Sequence, residues 1–186
     1  MATAARRLLT VEEFLALEFS GDEGRRVELS NGTIRLMAGG SVAHARVQQN
    51  ISGALFIALR GSFCRPYGPD MGVRTHDLSL RYPDVSVFCG RDKPEFDKLL
   101  ECDDPKLVVE VLSPSTKRED VTIKLPEYQA ITSLDAILYV DPDDETIRLV
   151  TRTAPRGWTD VTLSETEDVV LASLGVTLTR AEIFAR

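Results

Sequence analysis

The chain has 186 residues, 43% of them hydrophobic and 27% charged, which is the composition of an ordinary folded globular protein. Its 29 acidic side chains outnumber 22 basic ones, and the net charge of −7 argues against bulk electrostatic binding of nucleic acid, although it leaves room for a local basic groove. The longest apolar stretch, Ala54 to Leu59, is far too short to cross a bilayer, and the N-terminus lacks the pattern of a secretory signal.

The length of the chain and its cysteines indicate the number of domains and the cellular compartment. A chain of this size favours one domain, here residues 1–186. Cys64, Cys89 and Cys102 are odd in number and not closely spaced, which predicts reduced thiols and a cytoplasmic location. Together with His44 and His76 they offer no spacing typical of a zinc site.

The first third of the chain carries three local structure signals. Thr10 and Glu13 form a capping-box pattern, which predicts a short helix through about Phe19. Asn31-Gly32 lies between two alternating runs and predicts a β-hairpin. The segment Ser41 to Leu59 is typical of a longer helix.

The rest of the chain reads as strands alternating with short helices. Pro126 interrupts a helical stretch, and it either kinks that helix or restarts it as a second helix with the proline in the first turn. Thr179 and Glu182 predict a capped helix near the C-terminus. The expected elements are strands near 63–67, 72–75, 84–88 and 105–112, a helix or ordered loop at 93–102, a helical stretch at 117–131, strands in "AILYVD" and "TIRLVTR", and a strand near 158–163. This order predicts an α/β or α+β fold with a mixed sheet.

One carboxylate lies where a buried strand is predicted. Glu110 interrupts the apolar run from Leu107 to Leu112, which is typical of a strand covered on both faces. An isolated buried charge is very costly, so this carboxylate must be paired, protonated or bound to a cation.

A second carboxylate, Asp84, follows Pro83 at the start of another apolar strand. Proline is excluded from a central ladder, so it places Asp84 at the end of the sheet. If the two strands are neighbours, Asp84 and Glu110 converge, and a cation between them relieves their repulsion. Oxygen ligands of this kind suit Mg²⁺ or Mn²⁺. The alternative is structural: Asp84 caps a turn and Glu110 pairs with an arginine.

Three further polar residues follow the strand that holds Glu110. Asp120, Lys124 and Tyr128 are four positions apart, which places them on one face of a helix. They either point back at the carboxylates, or Asp120 and Lys124 form a solvated ion pair.

The segments "YPDVSVF", "PKLVVEVLSPST", the D-x-x-x-K-x-x-x-Y spacing and "YVDP" resemble the Uma-two family of "putative restriction endonucleases" in the PD-(D/E)XK nuclease superfamily. The resemblance extends over roughly Thr10 to Pro142 and includes "RVELSNGTI" and the helix with His44. It implies a restriction-endonuclease-like core, with a mixed central sheet flanked by helices and an N-terminal β-hairpin. It also implies cleavage of DNA with a divalent metal, Mg²⁺ or Mn²⁺.

The resemblance also implies roles for individual residues. Asp84 and Glu110 match the family's metal-binding acids, and the backbone carbonyl of Val111 is a further candidate ligand. Leu112 occupies the usual position of the catalytic lysine, which is matched here by Lys124 on the following helix. Two more site residues are carried over by position, Glu28 as an acid that joins the metal site and Tyr128 as a site-lining tyrosine.

Two other functions are compatible with the sequence. One is a nuclease fold that binds DNA or protein without cutting it, and the other is a two-carboxylate hydrolase of a non-nucleic substrate. We expect no membrane partner, and a homodimer is plausible for an enzyme that cuts both strands. The role of His44 stays open, since it either faces the site or is an ordinary core or surface histidine.

Overall fold

The structure, a computed structural model, describes residues 7–17, 26–37, 39–91, 93–113 and 120–186. The helices are α1 Val11–Leu15, α2 Val42–Ala58, α3 Leu125–Ala130 and α4 Arg180–Ile183, with 3-10 turns at Pro94–Lys98 and Ala172–Leu174 and a π-helical turn at Asp120–Lys124. The strands are β1 Val27–Ser30, β2 Thr33–Leu36, β3 Cys64–Tyr67, β4 Gly72–His76, β5 Ser79–Arg81, β6 Val85–Cys89, β7 Glu101–Cys102, β8 Leu107–Val111, β9 Ala136–Asp141, β10 Thr146–Ala154, β11 Gly157–Thr162, β12 Val169–Leu171 and β13 Val176–Leu178.

The predicted mixed sheet is confirmed. Its strand order is β11-β10-β9-β8-β6-β3, in which β8 and β9 run parallel and the other neighbours are antiparallel. All five residues of β8 are buried, as its apolar run predicted. A five-stranded sheet, β2-β1-β5-β4-β7, and the separate pair β12-β13 complete the strands.

Two hydrophobic cores cover the faces of the six-stranded sheet. On one face, α2 buries Val47, Ile51 and Leu55 at the four-residue spacing of a helix stripe, and β12, β13 and α4 pack around it. On the other face, Tyr128 of α3 packs with residues of β4 and β7. The sheet is therefore an inner layer.

Local signals explain the element boundaries near the N-terminus. Asn31 and Gly32 have φ values of 48° and 73°, the left-handed conformation that a tight two-residue hairpin turn requires. The capping box of Thr10 and Glu13 is confirmed, but α1 ends at Leu15, and the predicted extension to Phe19 runs outside the described residues.

The chain passes from one sheet to the other beside the predicted site. Strand β5 belongs to the five-stranded sheet and β6 to the six-stranded sheet, and only Tyr82, Pro83 and Asp84 separate them. Strand β1 pairs with β5. The junction of the two sheets therefore brings β1, with Glu28, to the side of the six-stranded sheet where Asp84 lies.

The prediction of three reduced thiols is wrong. Cys64 and Cys89 are register partners on the antiparallel strands β3 and β6, and they form a disulfide, while Cys102 is free and buried. The two cysteines are 25 positions apart, and only the strand pairing brings them together.

Within the described ranges, the structure contains no helix with the length and apolar character needed to span a membrane. The expectation of one domain over residues 1–186 stays a prediction.

Candidate active site

The two predicted acids converge at the ends of adjacent strands. Val85 of β6 pairs with Val109 of the antiparallel β8, a register that extends to place Asp84 opposite Glu110. The Val111 N–H donates to Oδ2 of Asp84 at 2.7 Å, which ties the carboxylate to the end of β8. The neighbouring strands that the sequence interpretation required are therefore present.

Glu110 is only 4% exposed and is compensated by two donors from the helix side. Its Oε1 accepts a hydrogen bond from Lys124 Nζ at 3.1 Å and one from Tyr128 Oη at 2.6 Å. These contacts show how a carboxylate is accommodated in an apolar strand, and the partner is a lysine rather than the arginine of the structural alternative.

The inward orientation predicted for Lys124 is confirmed. Its ammonium is buried and lies 3.8 Å from Oε2 of Glu28 in addition to its contact with Glu110. Lys124 ends the π-helical turn, and Pro126 follows in the first turn of α3. Proline cannot donate the i to i−4 hydrogen bond, so a regular helix cannot run through this point. The side chain of Asp120 lies outside the described part of the chain.

Tyr128 lies behind Glu110 rather than in the cavity wall. Its side chain is fully buried, which corrects the expectation that it lines the site. Burial raises the pKa of the Tyr128 hydroxyl well above its ordinary value, and the nearby Glu110 carboxylate raises it further. The hydroxyl therefore stays protonated at neutral pH and acts as a hydrogen-bond donor that orients Glu110.

Glu28 reaches the same site from strand β1. Its Oε1 accepts a hydrogen bond from Arg81 Nη1 at 2.8 Å. Its Oε2 is buried and finds no hydrogen-bond partner among the described residues. One oxygen of Glu28 is therefore fixed by the protein, and the other is available to a ligand in the site.

His44 lies in the cavity wall and faces the carboxylate of Asp84, so it is one of the residues of the site. Its Nε2 lies 3.4 Å from Oδ2 of Asp84. The hydrogen bond to Asp84 raises the pKa of the imidazole against the opposing effect of burial, and the Val111 backbone and the Glu110 charge add to the increase. A Cβ built on Gly40 would lie 2.6 Å from Nδ1 of His44, so the ring packs directly against that glycine.

A cavity of about 420 Å³ opens onto these groups. Four of the five predicted catalytic residues line it, namely Glu28, Asp84, Glu110 and Lys124, as does Val111. The other polar side chains in its wall belong to Arg26, Arg35, His44, Gln48, Tyr82 and Ser113.

The donor set fits a hard divalent cation. Asp84 and Glu110 line the cavity and would supply carboxylate oxygens, and Val111 in the same wall would offer its backbone carbonyl. The buried Oε2 of Glu28 finds no hydrogen-bond partner within the described chain. No three His, Cys, Asp or Glu side chains in the described part of the chain are arranged to hold a metal by themselves. A cation here would therefore complete its coordination with backbone carbonyl, water or substrate, as Mg²⁺ commonly does.

Two residues that hold the site together were missed from the sequence. Arg81 is fully buried and contacts both Glu28 and Glu127, although it comes from a three-residue strand. An arginine between Leu80 and Tyr82, just before the Pro83-Asp84 pair, was the available signal. Nothing in the local pattern indicated that Glu127 is its second partner.

A family model described as "Putative restriction endonuclease" matches residues 11–181. The chain belongs to the Uma2 family. All the predicted site residues of this Uma2 protein fall inside the matched region. The "uncharacterized protein sll1609" of Synechocystis sp. is 30% identical over 142 residues, which are 76% of this chain and 79% of that protein.

Another relative and a solved structure extend the comparison. The "uncharacterized protein slr1290" of Synechocystis sp. is 29% identical over 170 residues, 90% of this chain and 87% of that protein. A crystal structure of a "putative nuclease belonging to DUF820" from Anabaena variabilis matches with a TM-score of 0.75 and 18% identity, over 95% of this chain and 98% of the other. At that identity the structural likeness establishes the fold alone, and this fold agrees with the predicted mixed sheet flanked by helices.

Proposed function

We propose that this Uma2 protein is a divalent-metal-dependent endonuclease that hydrolyses phosphodiester bonds in DNA. The observation that carries the proposal is the meeting of Asp84 and Glu110 at the ends of adjacent strands, with the Lys124 ammonium reaching Glu110 from the helix side. This combination suits phosphodiester hydrolysis, because the reaction builds negative charge on phosphate oxygens and needs an activated water.

Each residue has a distinct task in the proposed reaction. Asp84, Glu110 and the Val111 carbonyl would hold Mg²⁺ or Mn²⁺, which supplies electrostatic stabilisation and lowers the pKa of a bound water. Lys124 holds the attacking water or neutralises a nonbridging phosphate oxygen. Tyr128 keeps Glu110 oriented through its hydrogen bond of 2.6 Å.

Glu28 contributes a second carboxylate acceptor near the Lys124 ammonium. Its Oε2 lies 3.8 Å from Lys124 Nζ, beyond ordinary hydrogen-bond distance but close enough for one water to contact both groups. A water held between Glu28 and Lys124 would be oriented by one acceptor and one donor. Glu28 therefore joins the site as a positioning acid, with the metal role of Asp84 and Glu110 independent of it.

DNA as the substrate depends on local charge rather than on net charge. The net charge of −7 opposes a polyanion at long range. The cavity wall nevertheless carries Arg26 and Arg35, and these cations would contact the phosphates on either side of the cleaved bond, while Lys124 serves the cleaved phosphate itself. Binding through so few phosphate contacts should weaken only modestly as the salt concentration rises.

The test is cleavage of supercoiled plasmid with Mg²⁺ or Mn²⁺, with chelator and with the Asp84→Asn variant as the matched control. Nicked or linear DNA should form only with wild-type protein and metal. DNA binding without cleavage would favour the non-catalytic alternative. Hydrolysis of a non-nucleic ester that persists under chelator would favour the two-carboxylate hydrolase. Single-stranded DNA and RNA oligonucleotides of the same sequence and length, compared under the same conditions, separate DNA from RNA preference.

Assembly and location remain part of the proposal. A homodimer would place two such sites on the two strands of a duplex, and sedimentation at micromolar concentration tests it. The cytoplasmic location was expected partly from reduced thiols, an argument that the Cys64–Cys89 disulfide removes, so it stays a prediction that fractionation of the source cells tests.

A further inference from the structure

Arg81 is a fully buried arginine with four assigned hydrogen bonds. Nη1 donates to Glu28 Oε1 at 2.8 Å, and Nη2 donates to Ser30 Oγ at 2.9 Å. Nε and Nη2 each donate at 2.8 Å to the two carboxylate oxygens of Glu127, in a bidentate arrangement. A guanidinium has five N–H donors in a rigid plane, so four of them are committed to named partners.

The two carboxylates that Arg81 binds belong to different structural elements. Glu28 lies on β1 of the N-terminal hairpin, and Glu127 lies on α3, directly before Tyr128. Thr75 Oγ1 and Ser79 Oγ also donate to Glu127, at 3.1 and 3.4 Å, which fixes that carboxylate against β4 and β5. One side chain therefore connects the hairpin to the helix.

The elements joined by Arg81 approach the candidate active site from two sides. The hairpin contributes Glu28, and the helix segment contributes Lys124 and Tyr128, both of which contact Glu110. Arg81 itself is absent from the cavity wall and is 0% exposed, so it does not touch a ligand there. Its influence on the site must pass through Glu28 and Glu127.

The charge of Arg81 is retained despite its burial. Burial alone disfavours the charged guanidinium, but the hydrogen bonds to Glu127 and the charges of Glu28 and Glu127 outweigh it and raise the pKa of Arg81 above its ordinary value. Lysine cannot replace this arrangement, since its ammonium is a point charge without a planar fork. The orientation of both carboxylates therefore depends on the guanidinium geometry.

We propose that Arg81 is a positioning residue of the active site, which fixes Glu28 and Glu127 at once and so sets the separation between Glu28 Oε2 and the Lys124 ammonium. Its kinetic consequence depends on the proposed nuclease function, whereas its structural consequence does not. Arg81 leaves Oε2 of Glu28 buried and free of a hydrogen bond at 3.8 Å from Lys124 Nζ. Rotation of Glu28 would turn this oxygen away from the site.

The principal test is Arg81→Lys, which keeps the positive charge and removes the bidentate fork. We expect kcat for DNA cleavage to fall about 10- to 100-fold, the usual effect of losing a residue that orients a ligand group, while KM and Mn²⁺ affinity change by less than about threefold. The metal-free crystal structure should show the Glu28 to Lys124 separation increased from 3.8 Å. Arg148→Lys is the matched control, because it removes another bidentate pair, with Asp160 at 2.6 and 2.8 Å, away from the cavity. It should leave kcat unchanged.

A double-mutant cycle separates positioning from general loss of stability. If Arg81 acts through Glu28, Arg81→Lys should add little to the kcat loss of Glu28→Gln. Should Arg81→Lys fail to fold, Glu127→Gln loosens the same connection from the helix side and should lower kcat with KM preserved.

The proposal is overturned if folded Arg81→Lys cleaves at the wild-type rate and keeps the Glu28 to Lys124 separation, or if the two kcat losses are fully additive. Wild-type protein that binds Mn²⁺ but cuts no nucleic acid refutes the proposed function instead. In that event the distance between Glu28 and Lys124 in the Arg81→Lys structure alone shows whether Arg81 positions these two groups.

Discussion

The Nζ atom of Lys124 lies 3.1 Å from Oε1 of Glu110, although the two residues are 14 positions apart in the chain. Leu112, two residues after Glu110, occupies the position at which the family resemblance leads one to expect a lysine, and it is buried in the core cluster on the opposite side of β8 from α2. The ammonium thus enters the site from the helix side.

Lys124→Met keeps most of the side-chain volume and removes the charge. Cleavage should fall by about a hundredfold to a thousandfold, the typical loss for one such electrostatic group, while metal affinity survives because no ligand is removed. Single-turnover cleavage together with calorimetric Mn²⁺ titration measures both quantities. Unchanged cleavage would mean that Lys124 serves only as a structural partner of Glu110.

The two acids should differ in their effect on the stability of the metal-free protein. Asp84→Asn keeps an acceptor for the Val111 N–H, so we expect a change within about 1 kcal/mol. Glu110→Gln removes the charge closest to the buried Lys124 ammonium, although Glu28 Oε2 remains 3.8 Å away, and it should destabilise by about 1.5–3 kcal/mol. Both variants should lose metal binding. Urea unfolding under chelator measures the difference, and equal losses would contradict it.

Tyr128→Phe removes the hydrogen bond from the phenol to Glu110 and keeps the aromatic ring in its packed position. The phenol donates to the Glu110 carboxylate at 2.6 Å in a fully buried position, so its loss should cost about 1.5–3 kcal/mol. Because the pKa of Tyr128 is raised, this loss should be constant across the neutral range. Denaturant titrations at several pH values provide the measurement, and a cost below about 0.5 kcal/mol would show that water replaces the contact.

His44 should make the stability of the metal-free protein depend on pH. The pKa of His44 is raised in the folded state, so its contribution is fully present below the unfolded value of about 6.5 and is lost as pH rises through the folded value. The stability difference between wild type and His44→Gln should therefore be larger at about pH 5.5 than at about pH 9. Urea unfolding with chelator at both pH values decides the sign, and a difference that grows with pH would refute it.

Gly39 and Gly40 provide a control variant and a test variant for the contact between His44 and Asp84. A Cβ at Gly40 would lie 2.6 Å from His44 Nδ1, so Gly40→Ala should displace the ring and weaken its contact with Asp84. A Cβ at Gly39 meets nothing within 4 Å, and Gly39→Ala should behave as wild type. The histidine pKa measured by NMR should shift down in the first variant only. Equal pKa values in both would show that the ring tolerates the added methyl group.

Local patterns predicted that Asp84 and Glu110 lie close together at the strand ends, whereas their role as metal ligands stays a prediction. Pro83 indicates the start of a strand independently of the rest of the sequence. Glu110 is recognisable because apolar residues flank it on both sides. Lys124 and Tyr128 were predicted from helical spacing and from the family resemblance, and their contacts with Glu110 agree with that prediction. Their catalytic roles stay predictions.

The features that were missed depend on long-range pairing. Arg81 and Glu127 are 46 positions apart, and the strand that carries Arg81 has only three residues, too few to show a periodic pattern. The disulfide of Cys64 and Cys89 likewise depends on the register of β3 against β6. Such partners become evident only when the strand order is known.

The register of β6 against β8 has a consequence for how this family can diverge. Val85 pairs with Val109, and each acid is one residue from its paired valine. The number of residues along each strand therefore sets the distance between Asp84 and Glu110. Substitutions leave that count intact. A single inserted or deleted residue within either strand would instead turn one carboxylate to the other face of the sheet. Under the proposed nuclease function, insertions and deletions in active relatives should therefore be confined to the loops, and a one-residue length change in β6 or β8 should identify relatives without the activity.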